Sequence, residues 1–243
     1  MSRTILEART VTKRFGGLVA VSDVSFDVTE HEVMGIIGPN GSGKSTMINM
    51  ISGSFAPSSG SIRLRGAELA GKPAHKVARL GVGRTFQLVR LLPELSVIEN
   101  VMAGAAFGHR RRWGHEAEHF ARSLLERLGL GQATGMPVSA LTYIDTKRVE
   151  LARALAGDPK VLLLDEWLAG LNPTELSTGI ALIRSLREEG RTIILVEHVM
   201  DAIRSLCDRC VVMSSGAKIA EGTPAEVLSD REVIRAYLGD DDA

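Results

Sequence analysis

Eight consecutive residues near the N-terminus have the types and spacing needed to bind a phosphate chain. They run Gly38-Pro39-Asn40-Gly41-Ser42-Gly43-Lys44-Ser45. This order fits the pattern G-x-x-x-x-G-K-[ST], in which glycines let backbone N–H groups wrap around phosphate oxygens and a following helix adds positive potential. Lys44 can reach the β and γ phosphates, and the hydroxyl of Ser45 can bind Mg²⁺. The segment therefore predicts a phosphate-binding loop.

Two carboxylates follow an apolar stretch later in the chain. Residues 161–164 read Val-Leu-Leu-Leu, and Asp165 and Glu166 come directly after them. Open α/β sheets bind their ligands at the carboxyl ends of such strands. We expect Asp165 to hold Mg²⁺ through water and Glu166 to polarise the attacking water as a general base. An acidic pair at this position is otherwise an ordinary helix cap, and the phosphate-binding pattern favours the chemical role.

A histidine follows the next apolar stretch. Thr192 to Val196 predicts a strand, and Glu197 and His198 come next. The imidazole would then lie on the same rim as Asp165. A single histidine in that position is commonly structural, but the phosphate loop upstream favours a contact between His198 and the γ phosphate.

The phosphate loop is flanked by two kinds of predicted β-structure. Short β-rich pieces separated by turn residues indicate an antiparallel layer: Ile5–Ala8, Val19–Val28 and Ser61–Leu64. Between them, Val33–Ile37 has the continuous apolar character of a buried strand. It leads through the loop into a helix predicted at Lys44–Ile51.

A helical segment interrupts this pattern. Residues 88–156 show helical periodicity, with an apolar stripe that Gly129 closes, and we expect a helical insertion between core segments 1–87 and 157–243. Strand and helix then alternate, which predicts a parallel sheet covered by helices. The predicted strands are 161–164 and 192–196, the predicted helices are 174–189 and 200–206, and a hairpin joins 211–213 to 218–221.

Composition excludes several classes of protein. The 243 residues include 29 Lys and Arg and 29 Asp and Glu, so no global field favours nucleic acid or an anionic membrane. No nucleic-acid partner is expected. The apolar runs are far shorter than the roughly 18 residues needed to cross a bilayer. Two cysteines and the absence of an apolar signal region behind Met1 predict a cytoplasmic compartment.

The chain resembles the ATP-binding cassette (ABC) proteins over nearly its whole length. The resemblance is carried, in chain order, by the phosphate loop, Gln87, Leu141–Asp145, Asp165-Glu166, Asn172 and His198. Other segments resemble the ATPase subunits of branched-chain amino acid importers: Arg14–Val21, Gly83–Gln87, Ala169–Pro173 and Tyr237–Gly239. The resemblance implies an α/β fold. That fold has a P-loop NTPase core with a mainly parallel sheet, an N-terminal antiparallel β layer and an inserted helical subdomain.

The resemblance also implies roles for individual residues. Phe15 would stack on adenine, which suits its π-face, and Asn172 would lie in the loop that meets the opposite subunit. Gln87 would touch Mg²⁺ and the attacking water and would report the nucleotide state to membrane domains. The implied ATP-binding residues are Phe15, Gly38, Pro39, Asn40, Gly41, Ser42, Gly43, Lys44, Ser45, Thr46, Thr142 and Asn172. The implied catalytic residues are Glu166, His198 and Gln87, and the implied metal ligands are Ser45, Gln87 and Asp165.

The chain departs from the family in its signature loop, which is typically Leu-Ser-Gly-Gly-Gln and here reads Leu141-Thr142-Tyr143-Ile144-Asp145. Ile144 would put a β-branched side chain where the backbone should approach phosphate, and Asp145 adds a negative charge. We hypothesise an asymmetric pair, in which this chain's phosphate loop works with a partner's signature while its own signature supports a weak site. In the alternative, Asp145 only caps the next helix and Ile144 still donates its N–H.

Two further features have less specific meaning. Trp167 stands where the family usually has proline, and we expect it to fill a gap in the core. The run Arg110-Arg111-Arg112 would face lipid headgroups or a partner's acidic loop, or would be an ordinary solvated charge run.

The resemblance implies a subunit that binds and hydrolyses ATP with Mg²⁺ and energises an importer for branched-chain or other hydrophobic amino acids. Its partners would be integral membrane permease subunits, a second cassette in a heterodimer and, indirectly, a substrate-binding protein. It would then work at the cytoplasmic face of the inner or plasma membrane. Two alternatives remain open: a homodimeric ATPase of a lipopolysaccharide-type exporter and a soluble ABC ATPase without a transport role.

Overall fold

The computed structural model describes residues 3–238. Along the chain the elements are β1 (Thr4–Phe15), β2 (Leu18–Thr29), β3 (Val33–Ile37), α1 (Lys44–Ile51), β4 (Ser59–Leu64), β5 (Ala67–Glu68), α2 (Ala74–Leu80), β6 (Val82–Arg84), α3 (Val97–Phe107), α4 (Gly114–Arg127), α5 (Tyr143–Ala156), β7 (Val161–Asp165), α6 (Pro173–Glu188), β8 (Thr192–Val196), α7 (Met200–Leu206), β9 (Arg209–Ser214), β10 (Ala217–Gly222), α8 (Pro224–Ser229) and α9 (Arg231–Leu238). Gly239, the last residue of the segment Tyr237–Gly239, lies outside the described residues.

Two sheets carry these elements. The first is antiparallel, with the order β2-β1-β4-β5, and the second has the order β10-β9-β3-β8-β7-β6. In the second sheet, neighbouring strands from β6 to β9 run parallel, and only β10 pairs in the antiparallel sense. The α/β fold, with its mainly parallel sheet and antiparallel N-terminal layer, is therefore confirmed.

The parallel sheet is buried on both faces. In β7, Leu162 and Leu164 pack into a core formed with the helices, whereas Val161 and Leu163 pack into the core beneath the antiparallel sheet. Successive side chains of a strand point to opposite faces, so a strand covered on both sides must be apolar at every position. This explains why the strands that carry the site read as continuous apolar runs.

Helices α3, α4 and α5 occupy the segment where the sequence predicts a helical insertion. The apolar stripe of α4, including Ala117, Ala121 and Leu125, is buried in the same core as the helix side of the parallel sheet. The limits of this insertion at residues 88 and 156 stay a prediction. Elements α2, β5 and β6 have no counterpart in the sequence analysis because they are short and carry few buried side chains.

The arginine run is divided between core and surface. Arg110 and Arg111 are exposed, but Arg112 is buried, with its guanidinium 3.8 Å from the centroid of the Phe120 ring and 3.6 Å from Glu116. The prediction of an ordinary solvated charge run is therefore wrong for Arg112, which packs against α4. Within residues 3–238, no helix is both long and apolar enough to span a membrane.

Candidate nucleotide-binding and hydrolysis site

The loop between β3 and α1 has a backbone that only glycine accommodates at two positions. Gly38 has φ 145°, and a Cβ there would lie 2.0 Å from the carbonyl oxygen of Met213. Gly43 has φ 101°, and a Cβ there would lie 2.6 Å from the carbonyl oxygen of Ala20. Gly43, the N-cap residue of α1, has no side chain with which to cap the helix, so the N–H groups of the first turn are available to an anion.

Lys44 opens α1 and lies folded into the loop. Its side chain is mostly buried, and its Nζ donates hydrogen bonds of 2.8 Å to the carbonyl oxygens of Gly38 and Pro39. Burial lowers the pKa of Lys44, and the negative charges of Glu166 and Asp165 act in the opposite direction. The ammonium is thus held at the loop within the field of the predicted general base Glu166 and the predicted metal ligand Asp165.

A cavity joins the loop to Phe15. It is lined by Phe15, Leu18, Val19, Ala20, Gly41, Ser42, Gly43, Lys44, Ser45, Thr46, Ser215 and Gly216. The Phe15 ring is half exposed and packs edge to face on Phe55, with 5.4 Å between the ring centroids. The cavity therefore offers a flat aromatic surface beside a phosphate-binding loop, as the sequence analysis expects for an adenine nucleotide.

The turn between β9 and β10 completes this cavity, and sequence reasoning missed it. The N–H of Gly216 donates a 3.1 Å hydrogen bond to the carbonyl oxygen of Ser42, which ties the turn to the phosphate loop. The Ser215-Gly216 pair marks a hairpin in the sequence, but nothing local indicates that the hairpin reaches residues more than 170 positions earlier.

Asp165 is the last residue of β7, and its two carboxylate oxygens have different surroundings. Its Oδ2 accepts a 2.8 Å hydrogen bond from Nη2 of Arg84, and both side chains are largely buried. Its Oδ1 is buried and has no hydrogen-bond partner among residues 3–238. Arg84 also donates to Asn49 and Ser52 at 2.7 Å, so a residue without a predicted role holds Asp165 against α1.

Glu166 and Gln87 are brought together. Nε2 of Gln87 donates a 2.6 Å hydrogen bond to Oε2 of Glu166. The buried carboxylate of Glu150 accepts the N–H groups of Phe86 and Arg90 at 3.0 and 2.8 Å and so anchors the segment that carries Gln87. Burial raises the pKa of Glu150, and these two N–H groups oppose the shift. No motif in the sequence indicates this role of Glu150.

The ends of β7 and β8 are neighbours because Asp165 pairs with Val196. His198 is exposed two residues beyond that pair, on the rim where the sequence places it.

Glu197 is fully buried, and its Oε1 accepts the N–H of Leu168 at 2.7 Å, while its Oε2 has no partner among the described residues. Burial raises the pKa of Glu197 to about 7, opposed by the Leu168 N–H and reinforced by the charge of Glu166.

The altered signature loop forms the N-terminus of α5. Thr142 caps the helix by accepting the Asp145 N–H at 3.3 Å, and its hydroxyl donates to Asp145 Oδ2 at 2.7 Å. Arg148 donates to the other carboxylate oxygen of Asp145 at 3.2 Å. Ile144 is 8% exposed, so the expectation that its side chain blocks the phosphate approach is wrong because that side chain is packed inside the protein.

Neither Thr142 nor Asn172 lines the cavity with Phe15. Asn172 caps α6 by accepting the N–H groups of Thr174 and Glu175 at 3.0 Å, with Pro173 at the first helical position. Both residues are exposed at helix N-termini. Their predicted contact with a nucleotide held by another subunit stays a prediction.

The oxygen donors near the loop fit Mg²⁺. The cation is typically bound by one or two carboxylates together with substrate phosphates rather than by a cage of protein side chains. Ser45 supplies a hydroxyl, Gln87 an amide oxygen and Asp165 a buried carboxylate oxygen without a partner. Residues 3–238 contain no group of three or more His, Cys, Asp or Glu that could hold a metal ion by itself.

A strand, a glycine-rich loop and a helix, with two carboxylates at the end of a nearby parallel strand, define a P-loop nucleotide-binding protein. The sequence profile of the ABC transporter family matches residues 21–169, and that of the branched-chain amino acid ATP-binding cassette transporter matches residues 217–243. The chain belongs to the ABC transporter family and is an ATP-hydrolysing subunit of that family.

Individual relatives agree with this assignment. The chain is 42% identical to the high-affinity branched-chain amino acid transport ATP-binding protein BraF of Pseudomonas aeruginosa, over 99% of this chain and 100% of that protein. It is 33% identical to the lipopolysaccharide export system ATP-binding protein LptB of Haemophilus influenzae, over 98% of each chain. The crystal structure of an ABC transporter cassette in its ADP conformation superimposes with a TM-score of 0.88 at 31% identity, covering 98% of this chain and 99% of the other.

Proposed function

We propose that this chain is the ATPase subunit of an importer for branched-chain or other hydrophobic amino acids. The observation that carries the catalytic part is the hydrogen bond of 2.6 Å between Gln87 and Glu166 at the edge where Lys44 also lies. The names of the relatives and the profile match at residues 217–243 support the substrate class. In this proposal residues 88–156 form the helical subdomain, and residues 1–87 and 157–243 form the core.

In the proposed mechanism, each group of the chain has one task. The phosphate loop and Lys44 bind the β and γ phosphates, and the face of Phe15 takes the adenine. Glu166 accepts a proton from the attacking water, with Gln87 orienting its carboxylate and His198 contacting the γ phosphate. Ser45, Gln87 and Asp165 would hold Mg²⁺, which neutralises charge on the phosphate oxygens when bound.

The proposed work is mechanical coupling. Two cassettes close around ATP because ATP binds the closed pair more tightly, and hydrolysis and product release reset the pair. The partners would be integral membrane permease subunits at the cytoplasmic face of the inner or plasma membrane and, through them, a substrate-binding protein. No part of this cycle requires nucleic acid.

The proposed partner cassette is a different chain. In the signature loop of this chain, the Asp145 carboxylate lies in the first turn of α5 and would oppose a γ phosphate held by the opposite subunit. The Arg148 guanidinium offsets part of that charge. A second cassette with an ordinary signature would therefore complete the productive site with this chain's phosphate loop.

The first test is the mass of the Glu166→Gln chain in solution with ATP, by light scattering. Blocking hydrolysis should trap any ATP-bound dimer, and we expect a monomer that dimerises only when a second cassette is added. An ATP-dependent homodimer would instead favour the homodimeric exporter, which the similarity to the lipopolysaccharide export protein also suggests. Association of the chain with ATP but never with a permease would favour a soluble ABC ATPase.

Hydrolysis by the assembled transporter tests the general base. Glu166→Gln should lower kcat by about a hundred-fold or more, the contribution expected of a positioned general base. Glu188→Gln makes the same chemical change on the exposed face of α6 and should leave the rate unchanged. Full hydrolysis by Glu166→Gln would refute the proposed role of Glu166.

A further inference from the structure

A buried ammonium group that has no ion pair within the described residues contacts the backbone of Glu166, the proposed general base. Lys147, on α5, is 1% exposed, and no carboxylate among residues 3–238 lies within ion-pair distance of it. Its Nζ donates a 2.8 Å hydrogen bond to the carbonyl oxygen of Trp167 and a 3.4 Å hydrogen bond to that of Glu166. A buried cation without an ion pair is costly. These main-chain contacts compensate part of that cost, together with the Tyr143 ring, whose centroid lies 5.1 Å from Nζ, and the charges of Glu150 and Glu197.

Trp167 returns a hydrogen bond to the same helix turn. Its indole Nε1 donates to the carbonyl oxygen of Lys147 at 3.2 Å, and its side chain is fully buried. From the sequence, Trp167 is expected only to fill a gap in the core. In the structure, Lys147 and Trp167 form a reciprocal pair that joins α5 to the segment after β7, and a proline at position 167 has no side-chain donor for it.

The segment held by this pair contains a strained residue. Glu166 has φ 46°, a left-handed conformation that is strained for a non-glycine residue and persists only where its surroundings impose it. The Glu166 N–H donates to the carbonyl oxygen of Val196 at 2.9 Å, and the Leu168 N–H donates to Glu197. These two bonds hold the segment from the side of β8, and Lys147 holds it from the side of α5.

We infer that Lys147 is a positioning residue for Glu166, and that Trp167 fixes Lys147 in place. The ammonium draws the carbonyl groups of Glu166 and Trp167 toward α5 and so sets the backbone from which the Glu166 carboxylate projects. This inference rests on the proposed role of Glu166 as the general base. It also ties the orientation of that base to the helix that begins with the altered signature loop of the same chain.

Lys147→Met is the informative variant. Methionine keeps a long unbranched side chain but has no donor, so the carbonyl oxygens of Glu166 and Trp167 lose the hydrogen bonds from Lys147. In the assembled transporter we expect kcat to fall about ten-fold or more, a share of the general-base contribution, while KM for ATP stays within about two-fold. Lys76→Met, on the exposed surface of α2, is the matched control and should leave both constants unchanged.

A second variant protects the test against a folding failure. Trp167→Phe keeps a buried aromatic ring but removes the N–H, and we expect a smaller fall in kcat of about two- to five-fold, in line with the loss of one neutral hydrogen bond. Hydrogen exchange at the amides of residues 166–169 should be faster in both variants. A merely structural role would lower the melting temperature without this local change.

A double variant separates the inference from the proposed function. If Lys147 acts through Glu166, adding Lys147→Met to Glu166→Gln should lower the single-turnover rate no further, because no base remains to be positioned. An additional fall of the same size as in the wild-type background would overturn the inference, as would a wild-type kcat for Lys147→Met alone. If Glu166→Gln keeps full activity, it is the proposed function that fails.

Discussion

Helices α1 and α5 begin with loops of opposite chemistry. α1 begins after the left-handed Gly43, with no side-chain cap and with Lys44 as its first residue. α5 begins after Thr142, whose side chain caps the helix, and carries Asp145 in its first turn. In the proposed ATP-bound pair, both helix termini would face phosphate, one in the site of its own chain and one in the site across the interface.

This difference shows how a helix N-terminus is made available to an anion or closed to it. The first N–H groups of any helix lack partners within the helix and carry positive potential. At α1 they stay free for a ligand. At α5, the Thr142 hydroxyl accepts one N–H and the Asp145 carboxylate supplies the negative charge internally. The chain thus has a phosphate loop with an uncapped helix terminus and a signature loop whose helix terminus is capped at one N–H and carries a carboxylate.

Gly43→Ala should break the open terminus and have the largest effect on stability. A left-handed alanine costs about 1–3 kcal/mol, and its Cβ would lie 2.6 Å from the carbonyl oxygen of Ala20. We therefore expect the free energy of unfolding to fall by an amount at or above the upper end of that range. Thermal unfolding measures it, and titration with ATP should show lost binding. Gly41→Ala is the control for stability, because its φ is also positive but its Cβ would meet open space. Equal losses in the two variants would contradict the clash.

Thr142→Ala should open the closed terminus at a moderate cost. Removing an N-terminal cap destabilises a protein by about 1 kcal/mol, and here the Asp145 carboxylate also loses its hydroxyl donor. Chemical denaturation of the chain alone measures the change in the free energy of unfolding. A change close to zero would mean that water satisfies the terminus as well as Thr142 does.

Asp145→Asn should make the two termini more alike with the smallest change in structure. We expect stability to fall by about 0.3–1 kcal/mol, because a carboxylate in the first turn interacts favourably with the helix dipole. ATP hydrolysis by the assembled pair should rise, since the charge opposing the γ phosphate is removed. Ile144 is best left unchanged, because its side chain is buried and its truncation would open a cavity. Unchanged hydrolysis would contradict an asymmetric pair.

The sequence predicts the elements around the phosphate loop with close agreement. Four predicted elements have the same limits in the structure: the strands Val33–Ile37 and Thr192–Val196 and the helices Lys44–Ile51 and Met200–Leu206. The strands are marked locally by apolar residues on both faces, and the helix Lys44–Ile51 by the glycine before it. The short strand β6 has only three residues, and no periodicity can be recognised over that length.

By itself, then, the sequence determined the phosphate loop, the carboxylates after β7, the histidine after β8 and the strands that deliver them, since each depends on neighbours within a few residues. Only the tertiary structure decided that Arg84 binds Asp165 and that the Ser215-Gly216 turn closes the nucleotide cavity. It also decided that Ile144 points inward and that Lys147 holds the backbone of Glu166. The physical reason is distance along the chain. Arg84 and Asp165 are 81 residues apart, and a contact between two such residues arises from the packing of whole elements, which no local pattern encodes.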